Sequence, residues 1–237
     1  MSENGNTRNP IEENAYKKHF IDLSLKGNWL MQMPGAFSHS STLASPSLFA
    51  RQTLLYLESI VLYHNTPTGF SVRRGNYNSY QIVYTLSGQG KLIYMGKEYL
   101  LSAGSCFLID CKKEHFYYTF GEETWIHHGM QFNGHQMPSI FDYLVQLNSI
   151  VTSLDDQDSI NGLHERLAAA ASSKLSSADI IINQLLFDII GKILLQNQFT
   201  SEKQLSPKIM EICQYIDANY MKIDTIDEIA QNCFISK

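Results

Sequence analysis

Between residues 54 and 132, short apolar or alternating runs are broken again and again by clusters of Gly, Asn and Pro. That texture constrains the segment to an antiparallel all-β unit, because a period of two buries one face of a strand and cannot line one face of a helix. Strands are expected over 55–63, 70–73, 80–86, 91–95, 98–101, 105–109, 116–120 and 124–132. Eight strands of this kind suit a jelly roll or small barrel. The most informative stretch runs from Tyr80 to Gly104. Gly88 and Gly90 flank a hairpin turn where positive φ is cheap, and Gly96 and Gly104 mark the turns that follow.

After Met137 the pattern becomes helical. Pro138 opens a helix reaching about Ile150, a second spans roughly Ser159 to Ser173, and a third runs from Ser177, with Asp179 in its first turn, to Gln198. On the third, Ile182, Leu185, Leu186, Ile189, Ile190, Ile193 and Leu194 form a broad apolar stripe. A stripe so wide serves either the barrel alone or the barrel and a second copy of the chain. Residues 199–205, polar at their centre, read as a linker.

Ser206 is a good N-cap and Pro207 suits a first helical position, with Ile209, Ile212, Cys213 and Ile216 at helical spacing up to Asn219. Thr225 and Glu228 form a capping box for a second helix that carries Ile226, Ile229 and Ala230 inward. Ser236 stands where a third helix would be capped, and Lys237 follows. The order Tyr215-Ile216-x-x-Asn219-Tyr220, Thr225-Ile226-x-x-Ile229-Ala230 and Ile235-Ser236 resembles the AraC/XylS family of bacterial transcription regulators. The glycine spacing of the 54–135 segment resembles the cupin barrel that serves many members as a sensor. By that resemblance the chain is an α+β protein: a cupin-like antiparallel barrel (jelly roll), a helical dimerisation segment and a partial helix-turn-helix truncated at Lys237. The expected divisions are a polar tail over 1–15, the effector-binding barrel with its N-terminal arm over 16–136, the dimerisation helices over 137–198, the linker over 199–205 and the start of a DNA-binding domain over 206–237. Thr225, Ser236 and Lys237 are the DNA-facing candidates of that incomplete motif.

The function implied is a ligand-responsive regulator, not an enzyme, whose full-length form binds promoter DNA as a homodimer. Little or no DNA binding is expected of residues 1–237 alone. Metal-dependent cupins need three or four converging N and O ligands. Here the corresponding positions hold Gly75, Tyr77, Gln81 and Phe107, leaving His115, so no metal or cofactor is expected. The alternatives are a metal-dependent cupin enzyme acting on a sugar and a dimerisation module with a filled barrel.

Aligned on the Gly88 and Gly104 turns with the arabinose-responsive member of the family, Arg73 falls on a sugar-bonding arginine, Tyr117 on a pocket tyrosine, His127 on a pocket histidine and His115 on a histidine at a strand start. The tryptophan on which the sugar stacks becomes Gly129, which frees volume for a larger carbohydrate such as an oligosaccharide or glycoside. Tyr84, Tyr94 or Trp125 would then supply the aromatic face, with Tyr77 a further candidate. Neighbouring residues of a strand face opposite ways, so parity decides between Tyr117 and Tyr118 and between His127 and His128, while Arg73, next to Arg74, fits a surface residue as well as a ligand contact. Trp29, Leu30, Met31 and Met33 form an apolar cluster that fits either a lid or a fixed cover.

Composition narrows the classes further. A net charge of -5 lacks the basic footprint of nucleic-acid binding. Cys106, Cys111, Cys213 and Cys233 show no CxxC spacing and read as reduced thiols. No apolar signal region and no run near the ~20 residues of a membrane helix are present, so a cytoplasmic protein with no membrane partner is expected.

Overall fold

In the computed structural model the described residues are 30–32, 37–66, 71–175, 177–204, 207–223 and 225–234. The eight expected strands all form: β3 (Tyr56–Asn65), β4 (Ser71–Arg74), β5 (Tyr80–Ser87), β6 (Gly90–Tyr94), β7 (Lys97–Leu101), β8 (Ser105–Asp110), β9 (His115–Thr119) and β10 (Trp125–Asn133). Three more join them: β1 (Leu30–Gln32), β2 (Phe37–Leu43) and β11 (Val151–Ser153). Two sheets result, ordered β1-β4-β9-β6-β7 and β11-β8-β5-β10-β3-β2, and every pairing is antiparallel.

Alternation along β5 separates two environments. Gln81 and Thr85 reach Tyr117 and Trp125 inside the barrel, whereas Tyr80 and Tyr84 meet Phe141 and the Leu154 carbonyl on the other side. The six-stranded sheet is therefore covered outside by helices and faces the five-stranded sheet inside. Gly88 and Gly90 serve this arrangement differently. Gly88 takes φ +69°, and a Cβ there would fall 2.2 Å from the Thr124 carbonyl oxygen. At Gly90 the constraint is space, since a Cβ would lie 2.5 Å from the Trp125 ring.

The helices are α1 (Leu48–Thr53), α2 (Met137–Gln146), α3 (Gln157–Ser172), α4 (Ala178–Gln204), α5 (Pro207–Asn219) and α6 (Ile226–Asn232). Ser47 caps α1 through the Ala50 N–H, and Asp156 caps α3 through the Ser159 N–H. Ile182, Leu185, Leu186, Ile189, Ile190 and Ile193 of α4 are buried in the core of the barrel unit. Helix α4 continues through 199–204, the stretch expected to be a linker. Its Ser, Glu, Lys and Gln are acceptable helix formers, and the next proline is Pro207. Chain contacts divide the molecule into residues 1–194 and 195–237. In the second unit Thr225 takes an extended backbone and accepts the Glu228 N–H, capping α6, while Ala230 and Cys233 are buried. Ser206, Ser236, Lys237 and the Trp29 and Met33 part of the arm cluster lie outside the described residues.

Candidate functional site

Antiparallel pairing of β4 with β9 sets Arg74 opposite His115, Arg73 opposite Phe116 and Val72 opposite Tyr117. Directly opposed residues share a face, so Arg74, His115 and Tyr117 point inward together and Arg73 points out. Arg73, expected to face the effector, stands on the outer side of the barrel wall, and its neighbour Arg74 stands inside. Its side chain is 53% exposed, pairs with Glu114 at 2.7 Å and lies over the Phe116 ring.

Arg74 is 2% exposed and organises the interior. Its Nη2 donates to Gln81 Oε1 and to Cys111 Sγ, both at 3.0 Å, and its Nε donates to His115 Nε2 at 3.3 Å. With its amide oxygen turned toward the guanidinium, Gln131 accepts from both Nη groups at 2.6 and 3.1 Å. The Tyr77 ring lies 4.8 Å from the Arg74 carbon centre. The Gln81 amide donates onward to the Tyr117 hydroxyl at 3.0 Å. A bulge in the β3–β10 ladder accompanies the last members: Ser59 pairs with Gln131 and Leu57 with Phe132, leaving Glu58 as the extra residue. Glu58 accepts the Tyr77 O–H at 2.9 Å.

The environment fixes the protonation states. Burial, helped by the Arg74 charge, pushes the His115 imidazole down to about 3. As a neutral ring it donates Nδ1–H to the Lys113 carbonyl and leaves Nε2 to accept from Arg74. Burial pushes the Cys111 thiol up to about 11 against the pull of Arg74, so it is present as a thiol. Burial also raises the Glu58 carboxyl, opposed by hydrogen bonds from Ser79 and Tyr77 and by the charges of Arg51 and Arg74. The cluster offers donors and acceptors in fixed directions, and its one thiol is raised by burial.

The other expected residues separate. Trp125 and His127 are fully buried and in tilted contact, their ring centroids 4.1 Å apart. Trp125 Nε1 donates to Thr85 Oγ1 at 3.2 Å, and Asn65 Nδ2 donates to His127 Nε2 at 3.0 Å. Tyr117 links the two groups through its edge contact with Trp125 at 6.2 Å. Tyr94 points inward, and its hydroxyl braces Asp110, donating to the carbonyl at 3.0 Å and accepting the N–H at 3.2 Å. Tyr84 departs from the expectation: it sits between sheet and helices, donating to the Leu154 carbonyl at 3.0 Å. The volume expected beside Gly129 is taken by Tyr63, whose ring would lie 3.7 Å from a Cβ there. His128 faces the helical layer, stacked on His164 at 3.6 Å.

Arg74, Gln81, Glu58 and Cys111 escape motif reading; the signal for them is pairing register, since an inward His115 requires an inward Arg74. Among the described residues no group of three His, Cys, Asp or Glu is placed to hold a metal ion. Two adjoining clefts open at this end of the barrel. One of about 450 Å³ includes Tyr94 and His115 in its wall, and one of about 360 Å³ includes Arg74 and Asn76; they share Arg73 and Glu114.

Residues 59–190 match the model of the AraC-like ligand binding domain. The chain belongs to that family. It is 24% identical over 172 residues to a lactose operon transcription activator of Staphylococcus xylosus, covering 68% of the chain and 61% of the relative, so it spans about three fifths of that protein's length. Among solved structures it is similar to the AraC-like transcriptional activator CuxR, with a TM-score of 0.48 at 13% identity over 96% of this chain and 82% of that one. A predicted oxalate decarboxylase from Thermotoga maritima matches with a TM-score of 0.35 at 18% identity over 41% of this chain and 80% of that one. Among the described residues no helix is long and apolar enough to cross a membrane.

Proposed function

We propose that this member of the AraC-like ligand-binding family is the sensor and dimerisation part of a transcription regulator, and that its barrel receives a carbohydrate effector at the Arg74 end. The observation that carries the reading is a guanidinium 2% exposed inside a barrel, held by Gln81, His115 and Cys111 at the wall of open clefts. Burying a charge is costly unless its bonds are satisfied. A barrel needed only as a spacer is filled more cheaply with apolar side chains. Sugar recognition asks for this kind of set, a few fixed polar groups backed by rings such as Tyr117 and Tyr94. The similarity to a lactose operon activator supports a sugar.

Effector binding shifts a regulator only if it favours one arrangement over another. The second copy that makes such an arrangement possible is assigned to α4. Its buried side faces the core, while Ile180, Ile181 and Phe187 are exposed, and a Cβ at Gly191 would meet nothing within 4 Å. Positions 180, 184, 187 and 191 follow a coiled-coil seam, and two copies meeting there form the homodimer. Promoter binding is assigned to the regulator as a whole, with α5 and α6 as part of its reading module.

Calorimetric titration with lactose and a panel of mono- and oligosaccharides tests the sensor reading. Saturable heat with at least one sugar, lost in Arg74→Met, is expected; a silent panel refutes it. Light scattering tests the seam, where Phe187→Glu is expected to give a folded monomer. A wild-type monomer at micromolar concentration refutes the dimer.

A further inference from the structure

We infer that the effector carries an anionic group, a phosphate or a carboxylate, which sits in the vestibule formed by the two clefts; the inference rests on the barrel being the effector site. The vestibule walls hold Arg73, Arg74, Lys112 and Lys113 against one carboxylate, Glu114. The chain as a whole has 18 Lys and Arg against 23 Asp and Glu, so a local excess of cations runs against the overall balance. Clefts lined by one sign of charge focus the field and concentrate ligands of the opposite sign.

The arrangement is built into the backbone. The chain beyond β4 is tied to the turn between β8 and β9 by Asn76 N–H to the Lys112 carbonyl at 3.0 Å and Tyr77 N–H to the Cys111 carbonyl at 3.2 Å. Asn76 holds φ +55°, and Asp110 Oδ1 accepts the Lys112 N–H at 2.9 Å. These bonds hold the backbone of Lys112 and Lys113 beside the end of β4 that carries Arg73 and Arg74. Neither lysine lies within ion-pair distance of a carboxylate among the described residues. Lys113 Nζ instead lies 3.9 Å from Met95 Sδ and 5.1 Å from the Phe141 ring centre. The Arg73–Glu114 pair is solvent-exposed on both sides, the kind of pair that gives way at little cost, and its release frees a planar fork for phosphate or carboxylate oxygens. His115 and Tyr94 stand in the wall of the first cleft beside the outward-facing Ile93 and Phe116, and the Gln81–Tyr117 network on the inner side of the same wall is assigned to the neutral part of the ligand. A wholly neutral sugar would use the inner network and bring no anion to Lys112 and Lys113.

The test is calorimetry on residues 1–237 with lactose, glucose, glucose 6-phosphate, glucuronate and inorganic phosphate. We expect glucose 6-phosphate, glucuronate or both to bind at least tenfold tighter than glucose. Lys112→Gln/Lys113→Gln should abolish that preference while keeping the wild-type circular dichroism and melting temperature. The phosphate ester, the uronate and free phosphate distinguish the two sources of charge. Neutral sugars binding as tightly as the anionic ones overturn the inference and leave the sensor reading intact. No response to any anion, or a preference that survives the double substitution, also overturns it. An anion preference that is lost in the double variant yet indifferent to Arg74→Met refutes the barrel as the effector site, and with it the inference in this form.

Discussion

Acid should unfold the barrel through its histidines, and the size of the effect follows from their burial. His115, His127 and His164 are each pushed by burial down to about 3, against ~6.5 in an unfolded chain. A histidine whose folded value is depressed contributes its full stability above the unfolded value, and that stability is lost as pH falls toward the folded value. At pH 5 the unfolded state binds the proton and the native state does not. The difference for one ring is RT ln[(1 + 10^1.5)/(1 + 10^−2)], about 2 kcal/mol, and about 6 kcal/mol for three. That is a large part of the ~5–15 kcal/mol that holds a typical domain. Between pH 5.5 and 4 the three rings give a slope of about 4 kcal/mol per pH unit. Glu58, whose carboxyl is raised by burial, works the other way: its native state keeps a proton that the unfolded state releases. It removes at most one proton from the slope, leaving about 3 kcal/mol per unit.

Urea titrations at half-unit pH steps from 7 to 4.5, followed by tryptophan fluorescence, give the slope directly. Gln can accept at position 127, where His127 Nε2 now accepts from Asn65. His127→Gln is therefore expected to lower the slope by about 1.4 kcal/mol per pH unit, one proton's worth, and His164→Gln to do the same. A wild-type slope below one proton, or variants whose pH curves run parallel to the wild type, would refute the reasoning that these rings are held neutral by burial.

Four shorter tests bear on other parts of the structure. Gly90→Ala places a methyl 2.5 Å from the Trp125 ring and is expected to lower stability by about 1–3 kcal/mol in urea denaturation, as overpacking does. Arg73→Ala removes a pair exposed on both sides, and the same assay should show less than ~1 kcal/mol. With Ellman's reagent on the native protein, exposed Cys213 should react fast. Buried Cys106 and Cys111, held up at about 12 and about 11, should react only on unfolding. Thr225→Ala deletes the cap of α6 and should cost about 1 kcal/mol of helix stability, seen as lost ellipticity on mild heating.

The strands between residues 54 and 132 were legible because each carries its own apolar alternation and is bounded by a turn residue. β2 was not, since Phe-Ser-His-Ser-Ser-Thr-Leu has almost no apolar period; its ladder comes from β3, which pairs along its whole length. The three residues of β11 are strand only because β8 offers an edge. α1 has six residues and one good cap, too few for a periodic pattern to rise above its surroundings. The end of α4 was hidden for the opposite reason, as polar residues without Gly or Pro fit a linker and a helix equally well.

At the site, residue types were readable and directions were not. A strand tells which residues share a face and leaves open which face is inside, so Arg73 and Arg74 are equivalent until the register is known. The register settles several choices together. Once Arg74 stands opposite His115, Tyr117 must point inward on the same strand and Phe116 outward, and Gln81 comes within 3.0 Å of both Arg74 and Tyr117. The polar interior is therefore a consequence of one pairing, with each member held by the next. A substitution that slipped β4 by one residue would bring Arg73 inside and remove Arg74, with Glu114 losing its partner as well. The outward cation and the inward one are coupled in this way: the barrel's polar interior and the charge on its outer wall are set by the same two adjacent arginines.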